Sequence, residues 1–353
     1  MLLVGGKGTR LRPLTITTPK PMLPAAGVPF LTHQLARARA AGVTHAILST
    51  SYRPEVFEAH FGDGSALGLE LEYVTEAEPL GTGGGIRNVA DRLRGGDVLV
   101  FNGDVLSGVD LRALVTAHRS SAADVTLHLT RVPDPRAFGL VPTDPDGRVT
   151  AFMEKPTTAE EIVTDQVNAG CYVFTPAALQ GIPAGRPVSV ERETFPGLLA
   201  TGARVTGYVD ATYWLDLGTP ADFVTGSCDL VTGRAPSPAV PGPRGSALVL
   251  AGAEVARDAA LTGGTTVGTG ARVGTGAHVD ASVLFEDAVV GAGARLRRSV
   301  LGRDARVGAG SVLDGVVLGD GACVGAGNEL LSGVRVWPGA EIADGAVRFS
   351  SDR

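Results

Sequence analysis

The sequence predicts an α/β domain on a mostly parallel, mixed sheet, followed by a parallel β-helix of hexapeptide repeats. Three observations carry this. Over roughly the first 230 residues, short aliphatic segments alternate with helical ones, the pattern of a sheet covered on both faces. A proline-rich stretch, APSPAVPGPRG at 235–245, continues neither kind of element. Beyond it, aliphatic residues return at nearly every sixth position. The expected divisions are a first domain at 1–234, a semi-rigid linker at 235–246 and a repeat domain at 247–353.

Taken in order, MLLV at the start reads as a short, buried first strand. It has neither the basic start nor the long apolar core of a signal peptide. AILST (46–50), LELEYVTE (69–76) and DVLVFNGD (97–104) are strand-like. Between them, LTHQLARARAAG (31–42) reads as a helix ended by Gly42, and RPEVFEAHFG (53–62) as one ended by Gly62. DLRALVTAHRS follows with Asp110 as N-cap, and DVTLHLTRV returns as a strand. In the repeat region Val255, Leu261, Val267, Val273 and Val279 are six apart, and a step of five reaches Leu284. Sixes and single fives then give Val290, Leu296, Leu301, Val307, Leu313, Leu318, Val324, Leu330, Val336 and Ile342. Each six-residue face turns one aliphatic side chain inward, and such coils bury a core only by stacking, with both ends needing cover.

Composition narrows the function. The 353 residues are 44% hydrophobic and 19% charged, with a net charge of −6. That balance argues against nucleic acid or a polybasic membrane surface as partner. No apolar run reaches the roughly 18 residues of a membrane span. Three distant cysteines (Cys171, Cys228, Cys323) offer neither a disulfide framework nor metal-ligand spacing, which fits a reduced, cytoplasmic setting.

The chemistry gathers around residues 3–24, LVGGKGTRLRPLTITTPKPMLP. Gly5, Gly6 and Gly8 expose successive backbone N–H groups beside Arg10 and Lys20, a cradle for an anion such as phosphate. A plain glycine turn is the competing reading. The Walker pattern is excluded because Gly8 follows Lys7, and the dinucleotide fingerprint because Leu11 stands where its third glycine would be. Four further constellations join this loop. In FNGD, Asp104 follows a strand, where ligands of open sheets sit; it can hold Mg²⁺ or cap the next turn. Asp216 in WLDLGTP is a second carboxylate or a turn acceptor. In FMEKP, Glu154 and Lys155 should point to opposite faces unless the strand ends there, and a solvated charge pair is the plain alternative. Asn168 in NAGCYVF precedes a buried-looking strand and can bond a hydroxyl-rich ligand.

In the order VGGKGTRLRPLT, PKPMLP, EPLGTGG, FNGD, FGLV, EKP, NAG and WLDLGTP, the chain resembles the sugar-1-phosphate nucleotidyltransferases. Within them it is most similar to the bacterial mannose-1-phosphate guanylyltransferase branch, over essentially its whole length. The resemblance implies a Rossmann-like catalytic domain, a left-handed β-helix and transfer of a nucleoside monophosphate from a triphosphate to a hexose 1-phosphate. It implies catalytic roles for Arg10, Lys20 and Asp104, and Mg²⁺ held by Asp104 and Asp216. Nucleotide contacts are implied for Leu3, Gly5, Gly6, Gly8, Thr9, Glu76, Gly81, Thr82 and Asn102. The sugar phosphate would meet Gly139, Glu154, Lys155 and Asn168. Members usually carry several residues before the LVGG strand, whereas here Met1 begins almost inside it.

The base can be argued physically. Guanine offers two adjacent donors, which an acceptor-only carboxylate can take. Relatives using thymidine triphosphate place Gln five residues before the glycine of the base loop, and counting back from Gly81 gives Glu76, with Glu78 as a rival. GTP is therefore favoured, and mannose 1-phosphate rests on the resemblance. Alternatives are another nucleoside triphosphate with glucose 1-phosphate, a non-catalytic regulatory relative, and an acyltransferase of the β-helix. The last would need His278, read as a solvated corner residue. The β-helix is expected to mediate homo-oligomers.

Overall fold

The structure, a computed structural model, describes residues 1–240 and 245–348. Residues 241–244 of the expected linker and the last five of the repeat domain lie outside the described residues. The chain packs as two compact units interleaved in sequence: Met1–Gly6 with Ala38–Trp214, and Lys7–Arg37 with Leu215–Arg353.

In the first unit Leu2–Leu3 pairs in parallel with His45–Thr50 on one side and Val98–Asn102 on the other. His45–Thr50 pairs in parallel with Glu70–Thr75, which ends that side of the sheet. Numbered along the chain, these four parallel strands lie in the order 3-2-1-4, so the direction of winding reverses beside Leu2–Leu3. A crevice opens at such a switch point, beyond the carboxyl ends of the strands. Gly5 and Gly6 follow one of the two strands there, and Gly103 and Asp104 follow the other.

Past Val98–Asn102 the sheet becomes antiparallel through its longest strand, Gln166–Phe174. That strand pairs with Val125–Arg131, which in turn carries Val205–Val209 in parallel. Val125, Leu127 and Leu129 are fully buried, as are Val100, Tyr172, Phe174 and Phe195. The Tyr172 and Phe195 rings meet edge-on at 5.2 Å, a contact contributing about 0.5–1.5 kcal/mol beyond its buried area. The expected helices are present as Phe30–Ala40, Pro54–Phe61 and Leu111–Ser120. Asp110 caps the last of these, accepting from the backbone N–H of Arg112 and Ala113.

In the second unit the repeats form parallel sheets of six, six and five strands, spacing consistent with a left-handed β-helix. Leu248 pairs with Thr266 one coil on, and Val267 with Leu284. Coils thus span 18 residues where all three steps are six and 17 where one is five. The shortened steps fall at corners where Ala281, Arg298 and Gly315 take left-handed φ of 44°, 47° and 67°. All sixteen periodic aliphatic residues lie on strands. Val255 and Leu261 at one end and Ile342 at the other are only half-buried, as expected where no further coil stacks.

A hydroxyl ladder runs up one corner. The Ser282 N–H donates to Thr265 Oγ1, the Ser299 N–H to Ser282 Oγ, and the Val316 N–H to Ser299 Oγ. It satisfies backbone groups that the tight turn takes out of the sheets. Helix Pro220–Thr232, closed at its start by a Thr219–Asp222 capping box, packs along the strands Thr265–Val267 and Val283–Leu284.

Candidate active site

In the first unit, backbone geometry at the switch point comes first. The Gly103 N–H donates to Leu3 O at 2.9 Å, and a Cβ at 103 would lie 2.5 Å from that oxygen. Only glycine lets the chain turn so close to the first strand, and the turn delivers half-buried Asp104 one residue later. Leu3 sits in register with Asn102. The Gly5 carbonyl accepts from Ser51 Oγ, while Gly6 is exposed.

Glu76 follows the strand Glu70–Thr75 and is 9% exposed. Its Oε1 accepts from Ser49 Oγ and its Oε2 from the Leu80 N–H, both at 2.9 Å. A carboxylate has about four acceptor sites, so Glu76 anchors the loop to helix Gly81–Val89 and keeps acceptor capacity in reserve. Its rival Glu78 is exposed. Thr82 is occupied inside the protein: its hydroxyl donates to Glu191 Oε2 and accepts from the Val190 N–H.

A second cluster of this unit gathers the sugar-phosphate candidates. Gly139 and Glu154 are cross-strand partners. The strand Met153–Glu154 ends at Glu154, and Lys155 takes a left-handed φ of 52°. The pair therefore does not diverge: Lys155 Nζ lies 3.5 Å from Glu154 Oε1. Asn168 donates through Nδ2 to the Tyr172 hydroxyl at 2.8 Å and accepts from the Gly170 N–H. Here four residues of the strand Gln166–Phe174 span two of its neighbour, a bulge that keeps Asn168 and Tyr172 on one face. Asn102 also bonds the Tyr172 hydroxyl. Burial, then the charge of Glu191, pushes the Tyr172 phenol well above its ordinary pKa, so it stays a neutral link between the two amides. Tyr172 was not among the sequence candidates, although its even spacing from Asn168 along a strand is the signal that finds it. Trp214 adds an apolar wall, edge-on to Phe138 at 5.2 Å with its indole N–H on Ala169 O.

In the second unit, Gly8 takes a left-handed φ of 58° and begins the short turn Thr9–Leu11. A Cβ at Gly8 would lie 2.9 Å from the Cβ of Lys20, so the glycine also lets the two segments touch. Thr9 and Arg10 are exposed, whereas the Lys20 side chain is only 10% exposed. Asp216, the last residue of the strand Trp214–Asp216, faces both cations. Its Oδ1 lies 3.8 Å from Lys20 Nζ and its Oδ2 3.9 Å from Arg10 Nη2. A Cβ at Gly218 would fall 2.9 Å from Arg10 Nη2 and 3.0 Å from Asp216 Oδ2, so that glycine keeps the space beside the carboxylate open.

Two other groups bear on the reading. His278 lies on the strand His278–Asp280 rather than at a corner, because the corner falls at Gly276, with φ of 64°. It is exposed, as a solvated side chain should be. His45, Glu70 and Glu72 bring potential metal ligands within 4.8 Å of one another. Arg94 pairs with Glu70 and Arg92 with Glu72, while His45 Nε2 lies 2.8 Å from Glu72 Oε1, so these groups already have partners within the protein.

The chain is similar to known proteins in both of its parts. The family model described as "Nucleotidyl transferase" matches residues 1–233, and that described as "GMPPB C-terminal domain" matches residues 244–348. A mannose-1-phosphate guanylyltransferase of Mycobacterium tuberculosis is 64% identical over all of this chain and 98% of its own. A mannose-1-phosphate guanyltransferase of Hypocrea jecorina is 37% identical over 65% of this chain and 63% of its own. Among solved structures, HddC from Yersinia pseudotuberculosis complexed with GMP-PN matches at a TM-score of 0.56 and 26% identity, over 65% of this chain and 97% of that one. No helix among the described residues is long and apolar enough to cross a membrane.

Proposed function

Since the chain belongs to the nucleotidyl transferase family, we propose that it converts GTP and α-D-mannose 1-phosphate to GDP-mannose and diphosphate. The observation that carries this is the full-length, 64% identity to a mannose-1-phosphate guanylyltransferase. Residues 1–234 are the proposed catalytic part and residues 247–353 the scaffold. Three free cysteines support a reducing, cytoplasmic setting. The exposed Val334 and Trp337 support a homo-oligomer made through the β-helix.

A phosphate oxygen of mannose 1-phosphate attacks the α-phosphorus of GTP. The new P–O bond forms as the bond to the bridging oxygen breaks, and diphosphate leaves with that bond's electron pair. Such chemistry asks mainly for positioning and charge stabilisation. Lys20, held on a mostly buried stem, is placed to oppose charge on the reacting phosphates, and exposed Arg10 to steady the departing diphosphate. The N–H groups around Gly5, Gly6 and Gly8, with Leu3 and Thr9, cradle the nucleotide. Glu76 reads guanine through its remaining acceptor sites, supported by Gly81, Thr82 and Asn102. Lys155 takes the sugar phosphate, while Glu154, Asn168 and the Gly139 backbone read its hydroxyls.

Family members generally use a divalent metal. Asp104 and Asp216 suit Mg²⁺, being hard oxygen donors, and Gly218 leaves room beside Asp216. When bound there, the ion would neutralise charge on the phosphates.

Pyrophosphate release measured for five nucleoside triphosphates against mannose, glucose and galactose 1-phosphates tests the reading. GTP with mannose 1-phosphate is expected to give the highest kcat/KM. A higher value for any other pair would replace the assignment.

A further inference from the structure

The Gly-rich segment is held from outside by the β-helix. Arg335 lies in Arg335–Val336, the last strand of a six-stranded sheet of that helix. Its Nη1 donates to two carbonyls of the segment, those of Arg10 and Arg12, both at 2.8 Å. One coil earlier, Asp320 accepts through Oδ2 from Thr17 Oγ1 at 2.7 Å, while its Oδ1 accepts from the Arg303 N–H inside the coil. At the other end of the same sheet, Leu250 packs against Gly27, where a Cβ would lie 2.7 Å from its methyl carbon. Residues 10–27 are thus tied to the β-helix at several points, and two of the polar ties, both from Arg335, fall on the turn that carries Arg10 and on its C-cap.

The two carbonyls are those of the middle residue of the turn Thr9–Leu11 and of Arg12, which caps its end, and so short a turn does little to fix its own orientation. A guanidinium is a rigid planar donor, and one bonded to the middle residue of the turn and to its C-cap sets the direction in which the Arg10 side chain leaves the backbone. Arg10 meets Asp216 only at 3.9 Å and is 67% exposed, so its own ion pair is a weak restraint.

We infer that Arg335 is a positioning residue for the reaction: the last coils of the β-helix hold the Arg10 turn in its working geometry. This rests on the catalytic role proposed for Arg10. Misplacing a reacting group by about 1 Å can cost on the order of a hundredfold in rate.

The test uses the full chain and measures pyrophosphate release from GTP with mannose 1-phosphate. Arg335→Ala is expected to lower kcat about tenfold or more with little change in KM for mannose 1-phosphate, and with an unfolding midpoint near that of the parent. Arg335→Lys should recover most of the turnover, because an ammonium also carries donors for two carbonyls. Asp320→Ala should lower kcat in the same direction by a smaller factor. The decisive readout is the Arg10→Ala background, where adding Arg335→Ala should cost less than about twofold. Full kcat in Arg335→Ala, or an equal loss with and without Arg10, would overturn the inference while leaving the reaction assignment intact. Full turnover in Arg10→Ala alone would overturn both the inference and the role of Arg10.

Discussion

Glu76, the proposed reader of guanine, also has a part in the fold. Its carboxylate accepts from Ser49 and from the Leu80 N–H, which ties down the loop ahead of helix Gly81–Val89. In Glu76→Gln the amide oxygen can keep the Leu80 bond and the amide nitrogen can donate to Ser49 Oγ, so the fold should survive at a cost within about 1 kcal/mol. What the amide loses is acceptor capacity toward guanine's paired donors. The variant is expected to lower the ratio of kcat/KM for GTP over thymidine triphosphate at least tenfold, with the unfolding midpoint nearly unchanged. An unaltered ratio would move base reading to Glu78 or to backbone groups. The identity of Glu76 was readable from its distance to Gly81. Its partners were not, because Ser49 lies 27 residues away on a neighbouring strand. The Glu154–Lys155 pair carries the same lesson, since the left-handed backbone at Lys155 overrides the alternation that a continuing strand imposes.

The β-helix displays two kinds of encoding in one element. Its interior is written as a local period, and the sixteen aliphatic positions all lie on strands. Its corners depend on a long-range feature, the ladder of Thr265, Ser282 and Ser299, each one coil from the next. Ser299 is completely buried, donates to Arg297 O and accepts from the Val316 N–H. Ser299→Ala removes only the hydroxyl and leaves that N–H without its acceptor, an expected loss of about 1–3 kcal/mol by chemical unfolding. A loss below about 0.5 kcal/mol would mean that the corner satisfies its N–H groups in another way. A serine at a turn looks like ordinary turn chemistry in sequence, so nothing marked these hydroxyls as buried.

Across the molecule, buried neutral histidines link stability to pH. His33 is fully buried, its Nε2 donating to Ala25 O and its Nδ1 accepting from Ser237 Oγ. Burial lowers its pKa, against a smaller opposing effect of the Ala25 carbonyl. Burial also lowers the pKa of His118, whose Nδ1 meets Thr126 Oγ1. The unfolded chain takes up these protons below about pH 6.5, whereas the folded chain does so only at lower pH. Between those values the unfolded state binds more protons, so this part of the stability is fully present above pH 6.5 and declines as pH falls. The unfolding midpoint should therefore drop from pH 8 to pH 5.5, and less steeply in a His33→Gln variant. An equal slope in that variant would remove His33 from the account.

Fold class, the β-helix and the order of the catalytic motifs were all present in the linear chain, because strand alternation, a six-residue period and glycine-rich turns depend on near neighbours. The grouping of the packed units was not. Residues 7–37 belong with 215–353, and Arg335 reaches Arg10 across 325 positions. No local pattern specifies such a pairing; it exists only once the coils are stacked and the last one comes level with the Arg10 turn. The same holds for Tyr172 between two asparagines and for Asp216 between Lys20 and Arg10. Sequence names the candidate groups one at a time, and their mutual geometry arises from packing between segments far apart in the chain.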